Sequence, residues 1–123
     1  MPEEKKKRFT KRSLPAEVRL AVEAALGRKA EDLCVLDLRE LASFTDFFLI
    51  AHGHSSRQNE AVAEAVEASL KPAGHRPLSV EGRESAEWVL LDYGSFVVHV
   101  FSRAARDRYA LEKLWGDAPR LDF

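Results

Sequence analysis

The chain has 123 residues, 46% of them hydrophobic and 32% charged, with a formal net charge of −1. That length suits a single domain burying roughly two thirds of its unfolded-chain surface, and the composition excludes disordered and fibrous classes. A single cysteine excludes a disulfide framework, no apolar run approaches the ~20 residues of a bilayer span, and the basic N-terminus lacks a secretion signal's apolar core.

Charge is unevenly placed. Residues 1–12 hold Lys5, Lys6, Lys7, Arg8, Lys11 and Arg12 against Glu3 and Glu4, a balance of +4. Residues 13–123 carry thirteen bases and eighteen acids, a balance of −5. The predicted organisation is a disordered basic arm over 1–12 and one folded domain over 13–123. The acidic body is poorly suited to phosphate backbones, where Lys and Arg must replace counterions. It is better suited to docking on a basic protein. The arm reads as a solvated terminus, with RNA contact as its functional alternative.

The first helix is predicted to begin near Pro15, with Leu14, Val18, Ala21, Val22, Ala25 and Leu26 as its apolar stripe. Gly27, Arg28 and Lys29 supply a stop. Leu33–Leu38 is a short buried strand carrying Cys34, whose apolar setting predicts an inert thiol in a reduced, cytoplasmic compartment. Asp46–Ala51 is a second strand, apolar on both faces and therefore central. Ser55 and Gln58 have capping-box spacing and open a helix with Val62, Val66 and Leu70 buried, ended by Pro72 and Gly74. Arg76–Gly82 reads as a short edge strand.

Glu87–Phe101 reads as two strands joined by a tight turn at Tyr93-Gly94. Alternation places Trp88, Leu90 and Asp92 on one face of the first strand, with Val89 and Leu91 on the other. Its partner divides into Phe96, Val98 and Val100 against Val97, His99 and Phe101. Neither face is polar enough to meet water, so a helix or another protein must cover each. Ser102 can cap a short helical turn. A last helix carries Tyr109, Leu111, Leu114 and Trp115 and ends at Gly116 ahead of Pro119. Helices alternating with five strands predict a mixed α/β or α+β sheet flanked by helices.

Four chemistries can be tested against these residues. His52 and His54 could face the same side, but two imidazoles without nearby carboxylates or thiols make a poor metal site. The turn after the second strand offers a helix N-terminus to an anion, but the motif is generic and simple capping is the favoured reading. Asp37, Asp46 and Asp92 are strand-end carboxylates that could gather magnesium for phosphoryl transfer. Gly53-His54-Ser55 is similar to the opening of nucleotidyltransferases, which then require an Asp-x-Asp pair. Here that place holds Glu64 and Glu67 on a helix. No nucleophile elbow accompanies any Ser or Cys. The sequence therefore predicts no catalytic residue, no cofactor and no metal.

Several ordered blocks identify a resemblance. They are Thr45–Ile50, Gly53-His54-Ser55-Ser56-Arg57-Gln58, Val80-Glu81-Gly82, Glu87–Gly94, Val97–Phe101 and Tyr109–Asp117. From about Ala16 to Asp117 the chain resembles the ribosomal silencing factor family, also called RsfS or Iojap. It departs from the pattern at His54, where Thr is commoner, and at Ser95-Phe96. The resemblance implies a nucleotidyltransferase-like fold without catalytic acids, built on a five-stranded mixed sheet. It implies a non-enzymatic protein that binds large-subunit ribosomal protein number fourteen, blocks joining of the two subunits and represses translation under nutrient limitation. It also implies a homodimer off the ribosome. The candidate contacts are Trp88, Tyr93, Tyr109 and Trp115 as aromatic anchors, with Glu81, Asp92 and Asp117 facing basic side chains. Trp115 has a rival role in the core, and Asp92 in the turn. A large-subunit assembly factor and an active nucleotidyltransferase-like enzyme are the alternatives.

Overall fold

The computed structural model describes residues 9–123. Residues 1–8, most of the predicted arm, lie outside them. Residues 9–12 are packed: Phe9 stacks on Phe47 with centroids 6.1 Å apart, and Thr10 and Ser13 cap each other around the turn Lys11–Ser13.

Helix α1 (Ala16–Gly27) follows Pro15 and buries Val18, Ala21, Val22 and Ala25. Leu26, assigned to that stripe from its spacing, is 40% exposed because it falls at the stripe's margin. Strands β1 (Glu31–Asp37) and β2 (Phe47–Gly53) come next, and every residue of β2 is buried. Helix α2 (Ser56–Leu70) starts at Ser55, whose Oγ accepts from the Gln58 amide. Gln58 completes the cap one residue early, accepting from the His54 amide, and its own amide donates to the carbonyls of Arg28 and Lys29. The capping residues thus tie α2 to the end of α1. Strands β3 (Ser79–Glu81), β4 (Trp88–Asp92) and β5 (Phe96–Ser102) follow, then α3 (Arg103–Tyr109), α4 (Leu111–Leu114) and β6 (Arg120–Asp122).

The strands form one sheet in the order β3-β4-β5-β2-β1-β6. Only β2 and β5 pair in parallel. Six strands replace the predicted five. The extra one, β6, has a single apolar residue between two charged ones, too little for alternation to reveal. The hairpin turn also shifts by one residue. Tyr93 and Phe96 flank Gly94-Ser95, with the Tyr93 amide donating to the Phe96 carbonyl and Gly94 at φ 86°. Near the C-terminus, Ala110 at φ 47° splits the predicted last helix, so Tyr109 belongs to α3 and not to the element carrying Trp115.

Helix α1 and helix α2 pack on one face of the sheet, over Val35, Leu49, Leu91 and Val98. The opposite face holds Leu36, Phe48, Ile50, Val97 and Phe101, with Ala105 and Ala118 from the C-terminal segment packed on it. This second face receives no long helix. Its cover is pinned by Arg106, which is 7% exposed. The Arg106 guanidinium donates to Glu112 at 2.6 and 2.8 Å, to the Glu31 carbonyl at 3.3 Å and to His52 Nδ1 at 2.9 Å. Removing one member of a buried ion pair strands the other charge, so Arg106→Met should cost roughly 3 kcal/mol in urea unfolding. A loss below about 1 kcal/mol would show that Arg106 does not hold this segment.

Candidate functional site

The second face is where the predicted site residues gather. Cross-strand register places Glu81 opposite Leu90, and Leu90 opposite His99. Trp88, Leu90 and Asp92 therefore share that face, as alternation predicts, beside Val97, His99 and Phe101. Trp88 and Leu90 are only partly buried. From β4 a line of rings crosses the face. Tyr109 lies 4.6 Å from Trp88, Trp88 5.9 Å from His99, and His99 4.4 Å from Phe48. Phe48 then meets Trp115, and Trp115 meets Phe44, each at 6.2 Å. At the outer ends, Tyr109 is 48% and Phe44 61% exposed.

His99 is the buried hinge of this line. Trp88 Nε1 donates to His99 Nδ1 at 3.0 Å. An indole N–H can only donate, so Nδ1 accepts and the imidazole proton sits on Nε2. That Nε2 is buried and has no hydrogen-bond partner among the described residues, an arrangement costing roughly 1–3 kcal/mol. Burial drives the His99 pKa down from 6.5 to about 3. The ring therefore stays neutral and keeps its acceptor.

The acids lie at the margins. Glu81 is exposed on β3, and Asp117 is exposed in the turn after α4. Asp92 accepts from the Gly94 amide at 2.8 Å, so it sets the turn while remaining partly open. Tyr93 stands apart. Its ring stacks on Phe96 at 4.8 Å, against the helix-covered face, and burial pushes its pKa up to about 12. Residue pattern alone missed Leu90, His99 and Phe44 as parts of this surface. Alternation placed the first two on the right side, but nothing local marked the Trp88–His99 bond.

The competing chemistries find different geometry. His52 and His54 both turn toward Glu31, with His52 Nε2 3.4 Å from its carboxylate. His52 Nδ1 is already occupied by Arg106, and burial and that guanidinium lower the His52 pKa. Asp37 is held by Arg39 at 2.6 and 2.9 Å, while Asp92 lies three strands away. Glu67, expected on a solvated face, pairs with Arg83 at 2.5 Å. Among the described residues no three His, Cys, Asp or Glu side chains could hold a metal ion. Burial raises the Cys34 thiol to about 11.

Only one margin of the ring-lined face is partly open, around Trp88, Leu90 and Tyr109, with exposed Glu81 beside it. The profile of a family described as "Ribosomal silencing factor during starvation" matches residues 11–123. The chain belongs to the ribosomal silencing factor family. It is 43% identical to ribosomal silencing factor RsfS of Halalkalibacterium halodurans over 106 residues, covering 86% of this chain and 91% of that one. A crystal structure of a Chromobacterium violaceum protein superposes with a TM-score of 0.79 at 44% identity, covering 81% and 83% of the two chains. The mouse protein named "Mitochondrial assembly of ribosomal large subunit protein 1" is 33% identical over 89 residues, 70% of this chain and 39% of its own. Within this silencing factor family, the relatives carry names of ribosomal regulators and assembly proteins, not of enzymes.

The buried histidine has a measurable consequence. Its folded-state pKa lies below the ordinary 6.5, so between those values the unfolded chain binds the extra proton. Stability must fall as pH falls through this window, by up to roughly 1.4 kcal/mol per pH unit. In urea titrations at pH 6.5 and 5, His99→Gln should lose roughly 2 kcal/mol less than the natural chain. Equal losses would show that His99 titrates normally in the fold.

Proposed function

We propose that this silencing factor docks on the large ribosomal subunit through ribosomal protein number fourteen and so blocks joining of the small subunit. Translation would thereby fall when nutrients are limiting. The observation that carries the reading is the half-open patch of Trp88, Leu90 and Tyr109 between Glu81 and Asp92. Aromatic anchors inside a charged rim are the usual source of binding energy at a protein interface. Acids at the margin suit a partner that is itself basic because it lives on RNA. Trp115 extends the patch toward Phe44, and Asp117 lies beyond it in sequence.

No bond need be made or broken. Two bodies cannot occupy one volume, so a rigid domain seated on the contact surface is sufficient. The protein is proposed to act in the cytoplasm and without catalysis. Off the ribosome, a second copy would cover exposed apolar surface as a homodimer, and the basic arm would reach nearby ribosomal RNA.

A second reading, assistance in large-subunit assembly, is favoured by the likeness to the mouse protein whose name states that role. Both readings use the same contact and differ in the particle bound.

Sedimentation with separated subunits tests the proposal. The natural protein should travel with large subunits and prevent joined ribosomes from forming. Trp88→Ala with Asp92→Ala should fold, lose roughly 2 kcal/mol or more of binding energy and leave joining unaffected. A folded double variant that still travels with large subunits sinks the assignment of this face. Preferential binding to immature particles would favour the assembly role.

A further inference from the structure

We infer that His99 is a positioning residue for docking: its Nδ1 fixes the Trp88 indole in the orientation that the partner reads. This rests on the docking face proposed above and names a residue within it that does not itself touch the partner, being only 3% exposed.

The argument starts from what histidine adds at this position. His99 lies among Phe48, Phe101 and Leu90, surroundings that an apolar side chain would fill without penalty. Histidine instead leaves Nε2 buried without a partner. Among the described residues its side chain makes one hydrogen bond, accepted from Trp88 Nε1 at 3.0 Å. Trp88 is only partly buried, so an indole turned the other way could reach water with its N–H. What the bond supplies is direction. The indole already rests between Phe101 at 4.9 Å and Tyr109 at 4.6 Å. Apolar contact alone would let it slide or flip, since dispersion is weakly directional, whereas a hydrogen bond fixes one edge. A large anchor held in its bound rotamer loses less freedom on association.

The low pKa of the ring agrees with this role, because protonation of Nδ1 would abolish the acceptor. The main chain of Trp88 is closely packed as well. Gly82 sits at φ 80°, and a Cβ there would come within 1.9 Å of the Trp88 carbonyl, so the preceding turn is seated directly on Trp88. Main chain and side chain are both restrained at one residue, beside an otherwise open surface.

His99→Phe removes the acceptor and keeps a planar ring, and His99→Leu does so with a smaller side chain. His99→Gln retains an acceptor of similar reach. Three measurements decide the matter: thermal melting, solvent exchange of the Trp88 indole N–H by NMR (assigned with Trp88→Phe), and sedimentation with large subunits. At least one acceptor-free variant should melt no lower than the natural protein at pH 7, yet exchange its indole N–H faster and bind large subunits about tenfold more weakly. His99→Gln should restore slow exchange and most of the binding. A folded acceptor-free variant that binds as the natural protein does overturns the inference alone. Loss of binding only in step with loss of folding overturns it too, as would failure of His99→Gln to rescue. If the natural protein itself does not travel with large subunits, the docking reading falls and this inference with it.

Discussion

Seven residues of β2 pair in parallel with seven of β5, from Phe47 opposite Phe96 to Gly53 opposite Ser102. The two strands end at the same edge of the sheet, and the chain leaves them in opposite directions. Helix α2 turns onto one face and α3 onto the other. Because both strands are apolar on both sides, each face must be covered. The cover is unequal. Two helices of 12 and 15 residues fall on the first face, while the second receives helices of seven and four residues with a loop. The partly exposed patch around Trp88 and Tyr109 is what this arithmetic of helix length leaves behind.

That division was largely legible in the residues. Alternation along Glu87–Phe101 sorted every hairpin side chain onto its observed face, and the capping spacing at Ser55 and Gln58 located α2. What could not be read has local causes. The chain breaks at Ala110 in a left-handed conformation that alanine does not advertise. Strand β6 is too short to show a period. The expected contacts group Tyr93 with Asp92, but alternation sends adjacent side chains to opposite sides, and its ring lies on the helix-covered face. Arg106 sits in a short run rich in arginine, where nothing distinguishes a buried guanidinium from its solvated neighbours. Its partners His52, Glu31 and Glu112 come from three separate segments.

The polar groups of the second face divide into two kinds. Around Arg106 the donors are matched with acceptors, and the effect is to fasten α3 and α4 to the sheet. Around His99 the accounting is incomplete, with one nitrogen bonded and the other not. A fold optimised only for stability would close that gap with hydrocarbon. The gap lies beside the partly exposed Trp88 and Leu90, and such local inconsistencies are found at functional sites.

The two outermost strands, β3 and β6, are each three residues long. A molecule that displays aromatic surface risks growing into fibres if its sheet also offers long unpaired borders, because backbone groups there template further chains. Here those borders are nearly absent, and β6 ends in Arg120 and Asp122, which pair across its exposed side at 2.8 Å. Stickiness is thus confined to side chains and withheld from the main chain. Such a protein can carry exposed rings without offering a border on which further chains could stack.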